Sequence, residues 1–215
     1  KAGLTLPEAQ EVDAAEGATI AVRQGEPLVE QIGDMLHYSN NMSAEVIGLA
    51  ATRLADRDTG SLAGSADAMN RWAARLGGFS SRDGGFDLQN HSGLSAQSRV
   101  TPRRMAAFLV AAHRHPRLGP LLDAVLKDHP MEPPEGGGPA PTAQAKTGTM
   151  NFTRGLAGFI TTGNGRRLAF AWFANDLPRR EAGLDDAGPG RGARGWRNAA
   201  VYHERRLLTR WSDLF

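Results

Sequence analysis

Two short motifs in this chain hold residue types that could do chemistry together: Lys146-Thr147-Gly148-Thr149 and Ser39-Asn40-Asn41. On a strand, a lysine beside two hydroxyls spaced two residues apart makes an electropositive, donor-rich edge suited to a carboxylate. Gly148 removes the side chain that would keep a ligand from the backbone there. The Thr149 N–H is then free to point at a developing oxyanion. Ser39 and Asn41, two apart in a tight corner, can project a hydroxyl and an amide into one cleft. Each motif alone has an ordinary alternative. Ser-x-Asn is also a helix cap and turn, and Lys-Thr-Gly is also a strand entry.

The elements that must position these residues are legible from periodicity. Leu28, Val29, Ile32, Met35 and Leu36 recur at helical spacing over 27–38, and Ala44, Ile47, Ala51 and Leu54 share one face of a second helix. The polar triplet therefore sits in the corner between two helices. A third helix is predicted from Ser65 as its cap through Met69, Trp72, Ala73 and Leu76 to a stop at Gly77-Gly78. Thr101-Pro102 is a cap followed by proline at the first helical position, opening a fourth helix through Met105, Phe108, Leu109 and Ala112. Residues 131–141 are rich in proline and glycine and read as irregular. Two apolar runs, 156–162 and 168–174, flank Gly163-Asn164-Gly165, a hairpin signal. Residues 178–195 read as a second irregular stretch, before a final helix bearing Trp196, Ala200, Leu207, Leu208, Trp211 and Leu214. Helices, then antiparallel strands, then a closing helix make an α+β chain. Its expected division is a helical part at about 27–130 and a sheet part at 142–215.

Composition narrows the chemistry. The 215 residues contain no cysteine, which excludes a disulfide scaffold, a zinc–thiolate site and a thiol nucleophile. Hydrophobic residues at 40% and charged residues at 22% fit an ordinary globular domain, and no apolar run approaches the roughly 20 residues of a membrane span. The net charge is +2, and only three of the 25 basic residues are lysine. So small an excess argues against nucleic acid as a partner, and the arginines from 191 to 210 read as a solvated loop and a polar helix face. The six histidines form no His-Glu-x-x-His pattern, so no metal is expected. Gly188-x-Gly190-x-x-Ala193 matches a dinucleotide fingerprint but follows no strand, so no cofactor is expected either.

Taken together and in this order, the two motifs resemble the second and third motifs of the penicillin-recognising serine acyl-enzymes, whose set is Ser-x-x-Lys, Ser-Asp-Asn and Lys-Thr-Gly. The closer resemblance is to the class C low-molecular-mass penicillin-binding proteins, the D-alanyl-D-alanine carboxypeptidase/endopeptidases. Asp34-Met35-Leu36-His37-Tyr38-Ser39-Asn40-Asn41-Met42-Ser43-Ala44-Glu45 is similar to that family's second-motif segment. Asn90-His91-Ser92-Gly93-Leu94-Ser95, with Val100-Thr101-Pro102 after it, is similar to its Asp-Gly-Ser-Gly-Leu-Ser and Thr-Pro signature. Ala145 to Met150, Gly158-Phe159-Ile160 and Gly165 to Phe170 are similar to its third-motif strand and hairpin. The likeness runs from about residue 28 through nearly the whole chain. Asn40 stands where the family usually has Asp, and Asn90-His91 replaces Asp-Gly.

The resemblance implies the C-terminal portion of a β-lactamase/transpeptidase-like fold and a site residue set of Ser39, Asn41 and Lys146 as catalytic, with Thr147, Gly148 and Thr149 binding substrate. The implied substrate is a peptidoglycan stem peptide ending in D-Ala-D-Ala, and β-lactams would acylate the same serine. The implied location is periplasmic or at the cell surface. The nucleophile is missing: Ala124 and Ala143 stand three residues before Lys127 and Lys146, so no Ser-x-x-Lys occurs. The expectation is therefore a chain inactive alone, whose cleft is completed by an N-terminal segment and which leaves an apolar sheet edge open. The alternative is a non-catalytic relative that binds peptidoglycan or a partner protein.

Overall fold

In the computed structural model, residues 19, 21–55, 60–80, 85–131, 141–182 and 192–215 are described. Among these residues seven helices and six strands follow in the order α1 (Leu28–Tyr38), α2 (Asn41–Leu54), α3 (Leu62–Gly77), β1 (Phe86–Asp87), β2 (Arg99–Val100), α4 (Pro102–Arg114), α5 (Leu118–Val125), β3 (Lys127–His129), β4 (Thr142–Met150), β5 (Thr153–Thr161), β6 (Arg167–Asn175), α6 (Leu177–Ala182) and α7 (Ala193–Leu214). The α+β order read from the sequence is the one observed.

The main sheet is antiparallel with strand order β3-β4-β5-β6, and β1 and β2 pair separately. Opposite residues share a face, so the register Ala143↔Ile160, Ala145↔Gly158, Thr147↔Leu156 and Thr149↔Arg154 fixes what each face carries. The odd positions of β4 face α7. There Ala143, Ala145, Leu156, Ile160 and Phe170 enclose Leu208 of α7, with Trp172 and Trp211 packed at the margin. A Cβ at Gly158 would collide with the backbone of Gln144 and Ala145, so only glycine lets β5 pair this closely with β4. On the other face His113 of α4 lies against Phe159, ring centroids 5.1 Å apart. The 163–165 turn closes β5–β6, with Gly165 at φ 82° and the Thr162 hydroxyl capping the loop through Arg166 N.

Both edges of the sheet are open in part among the described residues. β3 covers β4 only as far as Lys127↔Ala145, so the Lys146–Met150 half of β4 has β5 on one side and no strand on the other among the described residues. Among the described residues β6 likewise has β5 alone as its neighbouring strand.

Two expected boundaries are corrected. The cap of α3 is Ser61, whose hydroxyl accepts from Gly64 N, and not Ser65. Ser65 lies one turn inside the helix with its side chain buried, because its hydroxyl has inward partners in Thr52 and His91. The 178–195 stretch is not wholly irregular. Pro178 sits in the first turn of α6, a position that tolerates proline, and α7 already begins at Ala193. The fingerprint glycines Gly188 and Gly190, Arg191, and most of the 131–141 stretch lie outside the described residues.

Candidate active site

The α1–α2 corner is built by its own polar residues. Ser39 closes α1 in the left-handed region at φ 53°, ψ 48°, and its N–H satisfies Met35 O. A non-glycine residue rarely adopts that conformation, and here it turns the chain sharply enough to start α2 two residues later. Asn40 is the N-cap of α2, with Oδ1 accepting from Ser43 N at 3.0 Å. Asp and Asn cap equally well through that oxygen, so Asn40 in place of the family's Asp keeps the corner intact. Asn41 is the first residue of α2 and is exposed.

From across the chain, Lys146 Nζ donates to Ser39 Oγ at 2.7 Å and to the Thr147 carbonyl at 2.6 Å. Lys127 of β3 reaches the same helix end, its Nζ donating to His37 O at 3.4 Å. Two lysines thus meet the C-terminal end of α1, where unsatisfied carbonyls carry partial negative charge. Burial holds the Lys146 ammonium below the ordinary lysine range, and the positive charges of Lys127 and Arg154 push the same way.

The structure brings Ser39 and Lys146 together and joins Asn41 to neither by a hydrogen bond. Alternation along β4 divides the expected donor edge. Lys146 and Gly148 face the helical side, whereas Thr147 and Thr149 face α7. No neighbour lies within 4 Å of where a Gly148 Cβ would stand, so the strand is open at that point. Thr149 Oγ1 accepts from Arg154 Nη1 at 2.7 Å.

Arg154 belongs to a buried ionic cluster that motif reasoning passed over. Its Nε donates to Glu204 Oε2 at 2.8 Å and its Nη2 to Glu204 Oε1. The Glu204 side chain is 0% exposed, and His129 Nε2 lies 3.5 Å from Oε1. Burial alone would raise the Glu204 pKa. The hydrogen bonds and charges of His129 and Arg154 outweigh it and hold the carboxyl below its usual range. Both members had a signal in the sequence. Glu204 interrupts the apolar stripe Ala200–Leu208 at a spacing of four, and Arg154 stands at a core-facing position of β5.

Glu45, on the second turn of α2, was also missed. Its carboxylate accepts from His91 N and Ser92 N, both at 3.1 Å, and so ties the 90–95 loop to the site-bearing helix. Burial opposes ionisation of Glu45, but the Ser92 hydroxyl and these two amides prevail and lower its pKa. Desolvation lowers the His91 pKa despite the nearby Glu45 charge. The loop's departures from the family pattern have local reasons. Asn90 Oδ1 accepts from Gly93 N at 3.0 Å, a role an Asp oxygen fills equally. The His91 ring lies against Gly48 of α2, where any Cβ would overlap it, and Nε2 is 2.8 Å from Ser65 Oγ.

Comparison with known proteins shows the family and the fold. Carboxypeptidase Rv3627c of Mycobacterium tuberculosis is 32% identical over 167 residues, covering 73% of this chain and 35% of that protein. Carboxypeptidase DacB of Mycolicibacterium smegmatis is 32% identical over 170 residues, covering 74% of this chain and 36% of its own length. The chain therefore spans about a third of the curated relatives it matches. Penicillin binding protein 4 (dacB) from Haemophilus influenzae superposes with a TM-score of 0.58 at 23% identity, over 83% of this chain and 39% of that one. The Bd0816 predatory endopeptidase of Bdellovibrio bacteriovorus, solved in complex with the immunity protein Bd3460, does so with a TM-score of 0.51 at 22% identity, over 84% of this chain and 44% of that one. These likenesses place the fold among the β-lactamase/transpeptidase-like proteins. The D-Ala-D-Ala carboxypeptidase 3 (S13) family matches residues 2–188, and the chain belongs to that family of low-molecular-mass penicillin-binding proteins.

Proposed function

We propose that this chain supplies the second and third motifs of a serine acyl-enzyme that cleaves the D-Ala-D-Ala bond of peptidoglycan stem peptides, the nucleophilic serine residing in a separate N-terminal segment of the full protein. The observation that carries the reading is the 2.7 Å hydrogen bond from Lys146 Nζ to Ser39 Oγ. It joins the helical part, about 27–130, to the sheet part, 142–215, at the point where a proton must move.

In this mechanism the nucleophile's oxygen attacks the carbonyl between the two D-alanines, and the C–N bond breaks. Ser39 passes a proton toward the departing amine, and water then hydrolyses the acyl ester. Lys146 donates to Ser39 and leaves the hydroxyl's own proton free for transfer, while its positive charge favours the anionic substrate. Asn41 holds the substrate amide and the catalytic lysine of the missing segment.

The Thr147 and Thr149 hydroxyls bind the terminal carboxylate. The open half of β4 supports this assignment. The Thr147 carbonyl is available to Lys146, so it turns to the unpaired side. The backbone groups of Thr149, two residues on, turn with it, presenting its N–H as an oxyanion donor. Such a substrate places the complete enzyme in the periplasm or at the cell surface, and β-lactams would acylate its serine. The unpaired edge of β6 is a natural seat for strands contributed by the same N-terminal segment.

Two incubations with a fluorescent penicillin test the proposal. The 215-residue chain alone should take no covalent label, and the full-length protein should label stoichiometrically. Labelling of the isolated chain would overturn the assignment of the nucleophile. Full-length protein that binds a D-Ala-D-Ala peptide without turnover or labelling would establish a non-catalytic relative instead.

A further inference from the structure

The α7 face of the sheet contains a cavity of about 500 Å³ that adjoins Thr149. Thr149, Arg154, Arg197, Asn198, Tyr202 and Arg205 line it together with the apolar Val201. Arg197 and Arg205 stand eight residues apart on α7, about two turns, and both line the space that adjoins Thr149. Among the described residues no carboxylate lines the cavity. Glu204 is spent on Arg154, which holds both its oxygens. Among the described residues neither Arg197 nor Arg205 has an ion-pair partner, and Arg205 Nε is buried without a hydrogen bond. With Arg154 neutralised by Glu204, the two α7 arginines beside a space far larger than one carboxylate leave a positive potential that a bound anion would neutralise.

Resting on the reading given above, we propose that this cavity is the subsite for the residue released after the scissile bond, and that it selects a D-amino acid carrying a second anionic group on its side chain. Thr149 is the shared member. Its hydroxyl, fixed by Arg154 as acceptor, keeps its own proton for the α-carboxylate at the edge of β4. The leaving residue's side chain then passes Thr149 into the cavity, where Arg205 and Arg197 meet its acidic end. A leaving D-alanine satisfies Thr149 and leaves the two α7 arginines empty. A leaving D-glutamate fills both positions.

The test uses the full-length protein with its nucleophile and two peptides that differ only in the last residue, acyl-D-Ala-D-Ala and acyl-D-Ala-D-Glu. The expected result is a kcat/KM ratio favouring the D-Glu peptide by about tenfold, the scale of one charge-assisted contact. That ratio should collapse toward one in Arg205→Gln and in Arg197→Gln. It should persist in Arg210→Gln, which removes an α7 charge that does not line the cavity. Cleavage of D-Ala-D-Ala with no preference for D-Glu, or a preference that survives both cavity variants, overturns the subsite and leaves the acyl-enzyme reading standing. Failure to cleave either peptide overturns both.

Discussion

The two halves of the site are held in opposite ways. On the sheet side, Thr149 rests on Arg154, Arg154 on Glu204, and Glu204 on α7, with the carboxylate entirely removed from water. On the helical side, Ser39, Asn40 and Asn41 are all exposed, α1 has no buried residue, and Tyr38 and Met42 beside them are 75% and 77% exposed. Removing a partner from the first half strands a charge in a dry interior. Removing one from the second loses a hydrogen bond that water replaces. Stability is thus concentrated on the α7 face of β4, whereas the proposed proton-transfer geometry lies in the corner, so the two properties are expected to separate under mutation.

The largest expected effect is on the sheet side. Glu204→Gln leaves Arg154 half-paired and is expected to cost about 3–5 kcal/mol of unfolding free energy, read by urea denaturation. The same variant tests pH dependence. Glu204 has a folded pKa below its ordinary 4.5, so its contribution is fully present above that value and is lost as pH falls through the lower folded pKa. Wild-type stability should therefore drop below about pH 4.5 more steeply than that of Glu204→Gln. Parallel acid limbs in the two proteins would remove the contrast between the halves.

The corner should respond in the other direction. Lys146→Met or Ser39→Ala in the full-length protein is expected to slow penicillin acylation by about 10²-fold or more. The same changes should move unfolding free energy by only about 1 kcal/mol. A loss of several kcal/mol at Ser39 would show that the corner is structural after all.

Smaller effects probe how α2 is aimed. Gly48→Ala pushes a methyl into the His91 ring, which Ser65 holds in place, and is expected to cost about 1–3 kcal/mol. It should also raise hydrogen exchange at the His91 and Ser92 amides bound by Glu45. Smallest, Ser61→Ala should cost about 1 kcal/mol through loss of the α3 cap, measured by thermal unfolding.

Much of the frame was legible because it depends on local rules. Thr101-Pro102 caps and opens α4 as its chemistry requires, Gly78 ends α3 at φ 67°, and Asn164-Gly165 closes β5 onto β6. The short elements were not legible: β1, β2 and β3 are two or three residues each, too few to carry a period. Ser65 misled because two serines four apart offer the same cap signal. Only burial against Thr52 distinguishes the one inside the helix.

What the residue order by itself determined was the family likeness: the Ser39 and Lys146 motifs, the corner and strand that carry them, and the absence of a Ser-x-x-Lys between Lys1 and Phe215. Tertiary structure alone decided that Lys146 reaches Ser39. It also decided that Thr147 and Thr149 turn away from Lys146 onto the α7 face, and that Glu45, Arg154 and Glu204 hold the site from behind. The physical reason is range. Caps, turns and periodicity act within a few residues, whereas a hydrogen bond between groups 107 positions apart exists only once the sheet register has set where each side chain points.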